Sequence, residues 1–175
     1  MREYWVFGYG SLMWKPGFAF LEQQPARLHG YHRALCVYSW VHRGTPDRPG
    51  LVLGLDRGGS CRGVAFRVSS HAWDDVVAYL REREQVTAVY REKTLNARLL
   101  LEGRVVAALT YVVDRSHRQY AGVLSPHDQA RIVSGASGRS GANREYVENT
   151  LAHMRDEGIT DDRLSAVGTV LARAD

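Results

Sequence analysis

VFGYGSLMWKP, residues 6–16, is the stretch of this chain that decides how its fold begins. An apolar strand predicted over residues 4–9 breaks at Gly8-Tyr9-Gly10-Ser11. Glycine permits positive φ and a close approach of a ligand to the main chain. Successive backbone N–H groups in such a turn form a concavity that binds anions. The stretch therefore predicts a receptor loop for a carboxylate or a phosphate.

Two other interpretations of this loop have to be weighed. A dinucleotide fingerprint would need a third glycine and a βαβ unit, and the position of that glycine holds Met13. No GKS/T motif is present either, so nucleotide binding is not predicted. A plain tight turn remains the alternative to a site, although Tyr9, Ser11 and Trp14 cluster around the glycines.

Composition narrows the functional class. The chain has 175 residues and a formal net charge of +4, and its basic residues form no block. A nucleic-acid partner would need a clustered basic stripe, so none is predicted. No apolar run could span a bilayer, and residues 1–4 run into a strand without a signal peptide. Cys36 and Cys61 have no metal-ligand spacing and lie in apolar strand patterns, so a reducing cytoplasm is the predicted location.

The order of the predicted elements indicates an α+β fold. Strands and Gly- or Pro-rich turns come first and helices later, with no repeating βα unit and no linker. Residues 1–175 are therefore predicted to form a single domain with a mainly antiparallel, strongly bent sheet or small barrel, and a helical C-terminal part. Strands are predicted over residues 4–9, 26–29, 34–41, 51–56, 61–68, 93–101 and 105–113. Helices are predicted over residues 71–84 with Ser70 as N-cap, 126–137 after Ser125, 143–155 and 161–172.

Glu84 is the ionisable residue that the pattern singles out. It lies four residues after Leu80 and so continues the apolar stripe of the first helix, formed by Trp73, Val76, Val77 and Leu80. A carboxylate at the end of a buried stripe has a raised pKa, which suits it to proton transfer near neutrality. The alternative is a helix-terminal glutamate that pairs with one of the nearby basic residues, which are Arg81, Arg83, Arg91 and Lys93.

No metal or cofactor is predicted. The seven histidines are scattered without HExxH or another ligand spacing. Ser11 lies in no GxSxG elbow, although a Ser–His–acid triad is not excluded by sequence.

An ordered set of motifs resembles the ChaC-type γ-glutamylcyclotransferases, the glutathione-specific branch of the γ-glutamylcyclotransferase-like fold. The set covers nearly the whole chain: YGSL at residues 9–12, HRGT at 42–45, RPGLV at 48–52, GVAF at 63–66, EQVTAVY at 84–90, YAG at 120–122 and NREY at 143–146. Some family members carry Gly-Gly-Tyr where this chain has Ala88-Val89-Tyr90. The difference could alter pocket width but removes no functional group.

The resemblance implies an enzyme that closes the γ-glutamyl group of glutathione on itself, giving 5-oxoproline and Cys-Gly. Such a reaction needs no cofactor or metal, and Glu84 matches the general base and acid. The substrate would be held by the loop, whose residues are Tyr9, Gly10, Ser11, Leu12, Met13 and Trp14. Tyr90 and Tyr120 are further candidates from the matching motifs.

Arg43 could meet the glycine carboxylate of glutathione, or it could pair with Asp47 or Asp56 as an ordinary turn residue. Two other functions remain open. One is cyclotransferase activity on other γ-glutamyl amines or amino acids, and the other is a non-catalytic module that binds a γ-glutamyl ligand. The predicted partner in each case is a small molecule, and the sequence does not predict the oligomeric state.

Overall fold

The structure, a computed structural model, describes residues 1–85 and 88–174. Five strands form a closed barrel in the order β1-β3-β2-β4-β5. Their bounds are β1 Tyr4–Gly8, β2 Glu22–Ser39, β3 Gly50–Val68, β4 Tyr90–Leu99 and β5 Val105–Val113. The pairings β1–β3, β2–β4 and β4–β5 are antiparallel, and the β1–β5 pairing that closes the barrel is parallel. The predicted α+β fold with a mainly antiparallel small barrel is confirmed.

Four of the predicted strands were divided wrongly, because they are parts of two long strands. Residues 26–29 and 34–41 fall largely within β2, which has 18 residues, and residues 51–56 and 61–68 fall within β3, which has 19. Each strand contains glycine at positive φ, Gly30 at 92° and Gly58 at 105°. Glycine at such positions lets a strand bend while its ladder continues on both sides. The same glycines look like turns in the sequence.

The chain divides into two compact units. The first contains Met1–Arg33 and Leu55–Asp114, and the second contains Ala34–Gly54 and Arg115–Asp175. Strands β2 and β3 contribute residues to both. The single domain over residues 1–175 stays a prediction.

In the first unit, helix α1 (Trp73–Glu84) packs its predicted face into the core. Val76 and Leu80 are buried in a cluster with Val6, Leu12, Val68, Leu109 and Tyr111, and Trp73 and Val77 pack against it. The predicted cap Ser70 is wrong. The helix begins two residues later, and the N–H of its N-cap residue Ala72 donates to Oγ of Ser69 at 3.2 Å.

In the second unit, three helices follow as predicted: α2 Pro126–Gly135, α3 Asn143–Asp156 and α4 Asp162–Arg173. The Ser125 hydroxyl caps α2 by accepting from the amide of Asp128 at 3.1 Å. A two-stranded hairpin, β6 (Ser137–Gly138) and β7 (Gly141–Ala142), connects α2 to α3. None of the helices in the described ranges is long and apolar enough to cross a membrane.

Candidate functional site

The loop after β1 turns into a short 3-10 helix, Ser11–Met13. The amide of Met13 donates to the carbonyl of Gly10 at 2.9 Å, and the amide of Lys15 donates to that of Ser11 at 2.8 Å. Within the described residues, the amides of Ser11 and Leu12 donate to no backbone carbonyl. They are the first N–H groups of a helical turn, which have no partner inside it. The loop therefore offers two adjacent backbone donors.

Neither glycine of this loop has a positive φ, and what the structure explains is the need for a small residue at Gly8. Gly10 has a φ of −132°, and Gly8 is not among the glycines with positive φ. A Cβ atom at Gly8 would lie 3.0 Å from Cβ of Leu12. Gly8 thus allows the 3-10 turn to fold tightly onto the end of β1.

The loop side chains divide into buried and accessible groups. Tyr9, Leu12 and Met13 are buried, and Leu12 belongs to the core cluster around α1. Trp14 is half-buried, and Ser11 is exposed. A ligand can therefore reach only the main chain of Leu12, whereas Ser11 offers both its main chain and its hydroxyl group.

Arg33 supports the loop from inside and was missed by the sequence analysis. Its side chain is buried, with Nε donating to the carbonyl of Tyr9 at 2.6 Å and Nη2 donating to that of Arg62 at 2.7 Å. Nη2 also lies 3.9 Å from Sδ of Met13. The sequence could have indicated its burial, because Arg33 lies two residues before the buried Leu35 on β2 and alternate residues of a strand point to the same face.

Glu84 is the last residue of α1, and its side chain is only 17% exposed. Burial raises the pKa of its carboxyl group, and the positive charge of Arg83, whose Nε lies 3.7 Å from Oε1, lowers it in part. Both predicted roles of Glu84 are therefore present in the structure. The residue lies at the end of the buried apolar stripe of α1, and its carboxyl group pairs with Arg83. Arg81 instead pairs with Glu92 at 2.9 Å.

A buried tyrosine of the sheet is subject to the charges of Glu92 and Glu84. Tyr111 of β5 is buried in the same cluster as Leu80, and its hydroxyl donates to Oε1 of Glu92 at 2.9 Å. Burial, this hydrogen bond and the charges of Glu92 and Glu84 raise the pKa of the Tyr111 hydroxyl. Tyr111 therefore stays a neutral hydrogen-bond donor to Glu92. Its position in an apolar strand gave no sign of this in the sequence.

The raised pKa of Glu84 predicts that the stability of the fold depends on pH. A carboxyl group with a folded-state pKa above its unfolded value stabilises the fold at low pH, and this contribution is lost as the pH rises through the folded pKa. Glutamine does not ionise, so the Glu84→Gln variant does not lose this stability as the pH rises. The melting temperature of the variant should therefore exceed that of the wild type at pH 8, and the difference should shrink towards pH 5. Calorimetry at both pH values measures this, with the exposed Glu82→Gln as control. A difference independent of pH would contradict the prediction.

One guanidinium group connects the loop with the end of α1. Nη2 of Arg83 donates to Oγ of Ser11 at 2.7 Å, while its Nε faces Glu84. The sequence analysis had named Arg83 only as a possible ion-pair partner. The structure thus brings Ser11 and Glu84, 73 positions apart in the chain, to either side of one arginine.

Tyr90 is the first residue of β4 and packs half-buried against the α1 cluster. Its carbonyl accepts from Nε2 of Gln85 at 3.5 Å. The predicted motif over residues 84–90 includes Val86 and Thr87, which lie outside the described residues.

Arg43 and Tyr120 belong to the second unit. The Arg43 guanidinium donates to the carbonyl of Ala142 at 3.1 Å and lies over the ring of Tyr146, 5.6 Å from its centroid. Tyr120 bridges to Val37 of β2. Their roles in substrate binding stay predictions. In the part of the chain that the structure describes, no three His, Cys, Asp or Glu residues are placed to hold a metal ion.

Known proteins resemble this chain over almost its whole length. A relative from Escherichia coli K12, named glutathione-specific gamma-glutamylcyclotransferase, is 34% identical over 92% of this chain and 69% of its own. A mouse relative, glutathione-specific gamma-glutamylcyclotransferase 1, is 33% identical over 95% of this chain and 79% of its own.

The fold comparison agrees with the sequence comparison. The crystal structure of a yeast gamma-glutamyl cyclotransferase specific to glutathione superposes with a TM-score of 0.86, covering 99% of this chain and 97% of that one at 23% identity. The family model described as ChaC-like protein matches residues 4–173. This chain therefore belongs to the ChaC-like protein family.

Proposed function

We propose that this protein is a γ-glutamylcyclotransferase that degrades glutathione to 5-oxoproline and Cys-Gly. The relatives named above for this activity support the proposal. The observation that carries it is the position of Glu84: a largely buried carboxyl group with a raised pKa, connected through Arg83 to a loop with adjacent backbone donors. A carboxyl group of this kind can hold and release a proton near neutral pH.

The reaction needs one bond to form and one to break. The α-amine nitrogen of the γ-glutamyl group attacks its own γ-carbonyl carbon, and the bond between that carbon and the cysteine nitrogen breaks. Glu84 takes the proton that the attacking nitrogen loses and delivers it to the leaving nitrogen. Because nucleophile and electrophile share one molecule, the protein contributes mainly by holding the chain in a folded, near-attack geometry.

The loop is the part of the proposed site that would hold the γ-glutamyl group. The free amides of Ser11 and Leu12 and the Ser11 hydroxyl suit a carboxylate or the oxygen of the γ-carbonyl as that oxygen gains charge. Trp14 and Tyr90, both half-buried, are proposed to border the substrate. The buried side chain of Met13 would act from behind the loop.

Product analysis tests the proposal directly. The purified protein is incubated with reduced glutathione, and 5-oxoproline and Cys-Gly are measured together by mass spectrometry. Equal amounts of both support the proposal. Turnover of other γ-glutamyl amines without turnover of glutathione would change the substrate, and binding without any turnover would indicate a ligand-binding module. A cytoplasmic location belongs to the same proposal and is supported by Cys36 and Cys61, which form no disulfide within the described residues.

The mechanism predicts that the α-amine is indispensable. Glutathione acylated on the γ-glutamyl nitrogen should give no 5-oxoproline, because the amide nitrogen has lost its nucleophilic lone pair to resonance. The measurement uses the same mass spectrometry, with S-methylglutathione as the matched control because it keeps the amine free. Release of Cys-Gly from the acylated compound would show hydrolysis instead of cyclisation and would contradict the mechanism.

A further inference from the structure

Arg83 uses its whole guanidinium group within the first unit. Nη1 donates to the carbonyl of Lys15 at 2.8 Å, to that of Pro16 at 3.2 Å and to the hydroxyl of Tyr79 at 3.0 Å. Nη2 donates to Oγ of Ser11 at 2.7 Å. One side chain from the last turn of α1 thus holds both ends of the Ser11–Pro16 segment.

These contacts need the shape of a guanidinium. Arginine presents five N–H donors in a rigid planar fork, whereas lysine presents three donors at one point. A lysine at position 83 could keep the positive charge near Glu84, but it could not reach Ser11 and the carbonyl groups of Lys15 and Pro16 together. The positive charge of Arg83 and the planar shape of its guanidinium group therefore have different roles, and lysine can replace only the charge.

The contact with Ser11 also fixes the direction of its hydroxyl proton. Because Arg83 donates to Oγ, the Ser11 O–H is left to donate elsewhere. In the proposed site this makes Ser11 a hydrogen-bond donor towards a substrate oxygen. The neighbouring cation strengthens this donor by polarising the O–H bond.

We propose that Arg83 is the positioning residue of the site, clamping the Ser11–Pro16 segment to the end of α1 so that the Ser11 hydroxyl and the Glu84 carboxylate keep a fixed mutual position. The role in turnover rests on the proposed function, whereas the clamp itself does not. Arg83 acts on the substrate only through Ser11 and Glu84. The hydrogen exchange, kinetics and pH profiles of its variants therefore distinguish it from a residue that contacts the reacting atoms.

Hydrogen exchange tests the clamp without reference to activity. The amides of Met13, Trp14 and Lys15 are protected by the turn that Arg83 holds. In Arg83→Met they should exchange about tenfold faster than in the wild type. Arg104→Met is the matched control, because Arg104 also makes several hydrogen bonds in the first unit, to Glu3 and Glu102. Unchanged exchange in Arg83→Met would overturn the clamp.

Kinetics test the positioning role. Arg83→Met should lower kcat/KM for glutathione about 100-fold, mainly through kcat, because the reacting groups lose alignment. Arg83→Lys should recover only part of this loss, and Arg104→Met should match the wild type. Full recovery by lysine would show that charge alone matters and would overturn the role of the fork. Arg83→Lys also keeps the test valid if the methionine variant does not fold.

The pH profile separates positioning from a merely structural role. Arg83 lies beside Glu84 on α1, with its Nε 3.7 Å from Oε1. The charges of Glu84, Glu92 and Arg81 also act on the hydroxyl of Tyr111, which donates to Glu92, and Arg81 pairs with Glu92. Removing the Arg83 cation leaves burial unopposed, so the acid limb of kcat/KM should move to higher pH in Arg83→Met and stay in place in Arg83→Lys. An unshifted limb in Arg83→Met would contradict the proposal. If the wild type makes no 5-oxoproline, the proposed function fails and hydrogen exchange alone decides the clamp.

Discussion

Glu84→Gln should lower kcat for glutathione by about 10³-fold while leaving substrate binding nearly intact. Glutamine keeps the size and the hydrogen-bonding shape of the side chain but can neither take a proton from the attacking nitrogen nor return one to the leaving nitrogen. Because the substitution removes proton transfer and not the loop, KM should change little. The rate of 5-oxoproline formation, measured by mass spectrometry under saturating glutathione, gives the result.

Glu82→Gln is the matched control for this experiment. Glu82 lies on the same helix two residues earlier and is exposed, so its loss changes the net charge equally without touching the proposed site. It should keep wild-type turnover. Near-normal turnover in Glu84→Gln would exclude Glu84 as the base, and equal losses in both variants would indicate an effect of charge alone.

Arg33→Met should cause the largest loss of stability among the proposed variants. The substitution removes the donor from the carbonyl group of the buried Tyr9 and from that of the half-buried Arg62. The loss of two hydrogen bonds from a charged donor costs about 3 kcal/mol in total, and for a chain of this size the melting temperature should fall by about 10 °C. Turnover should fall as well, because the hydrogen bond from Arg33 to the Tyr9 carbonyl anchors the start of the loop that is proposed to hold the substrate.

Arg27→Met provides the comparison on the same strand. Arg27 is half-buried on β2 and donates to Oγ of Ser60 at 3.2 Å, a contact on the surface. Its loss should shift the melting temperature by no more than about 2 °C. Thermal unfolding of both variants by circular dichroism measures the difference. Equal melting temperatures for the two variants would show that the buried hydrogen bonds of Arg33 contribute nothing net to stability.

Local sequence patterns predicted an element correctly wherever one hydrophobic periodicity or one capping residue determined it. The stripe of α1 put Val76 and Leu80 into the core as predicted, and Ser125 capped α2 through a single hydrogen bond within its first turn. Glycine misled the same reasoning, because Gly30 and Gly58 mark bends inside long strands and not strand ends. A sequence shows that glycine permits an unusual backbone, but the neighbouring strands decide whether pairing continues through it.

The candidate site divides in the same way. The sequence by itself determined the α+β class, the loop over residues 9–14, and Glu84 as the carboxylate at the end of an apolar stripe, because each depends on residues near one another in the chain. Only the tertiary structure decided that Arg33 lies inside under Tyr9, and that Arg83 joins Ser11 to Glu84. These arginines read as ordinary surface charges in the sequence. Their roles depend on acceptors that lie 24 and 72 positions away and come within reach only when the barrel closes.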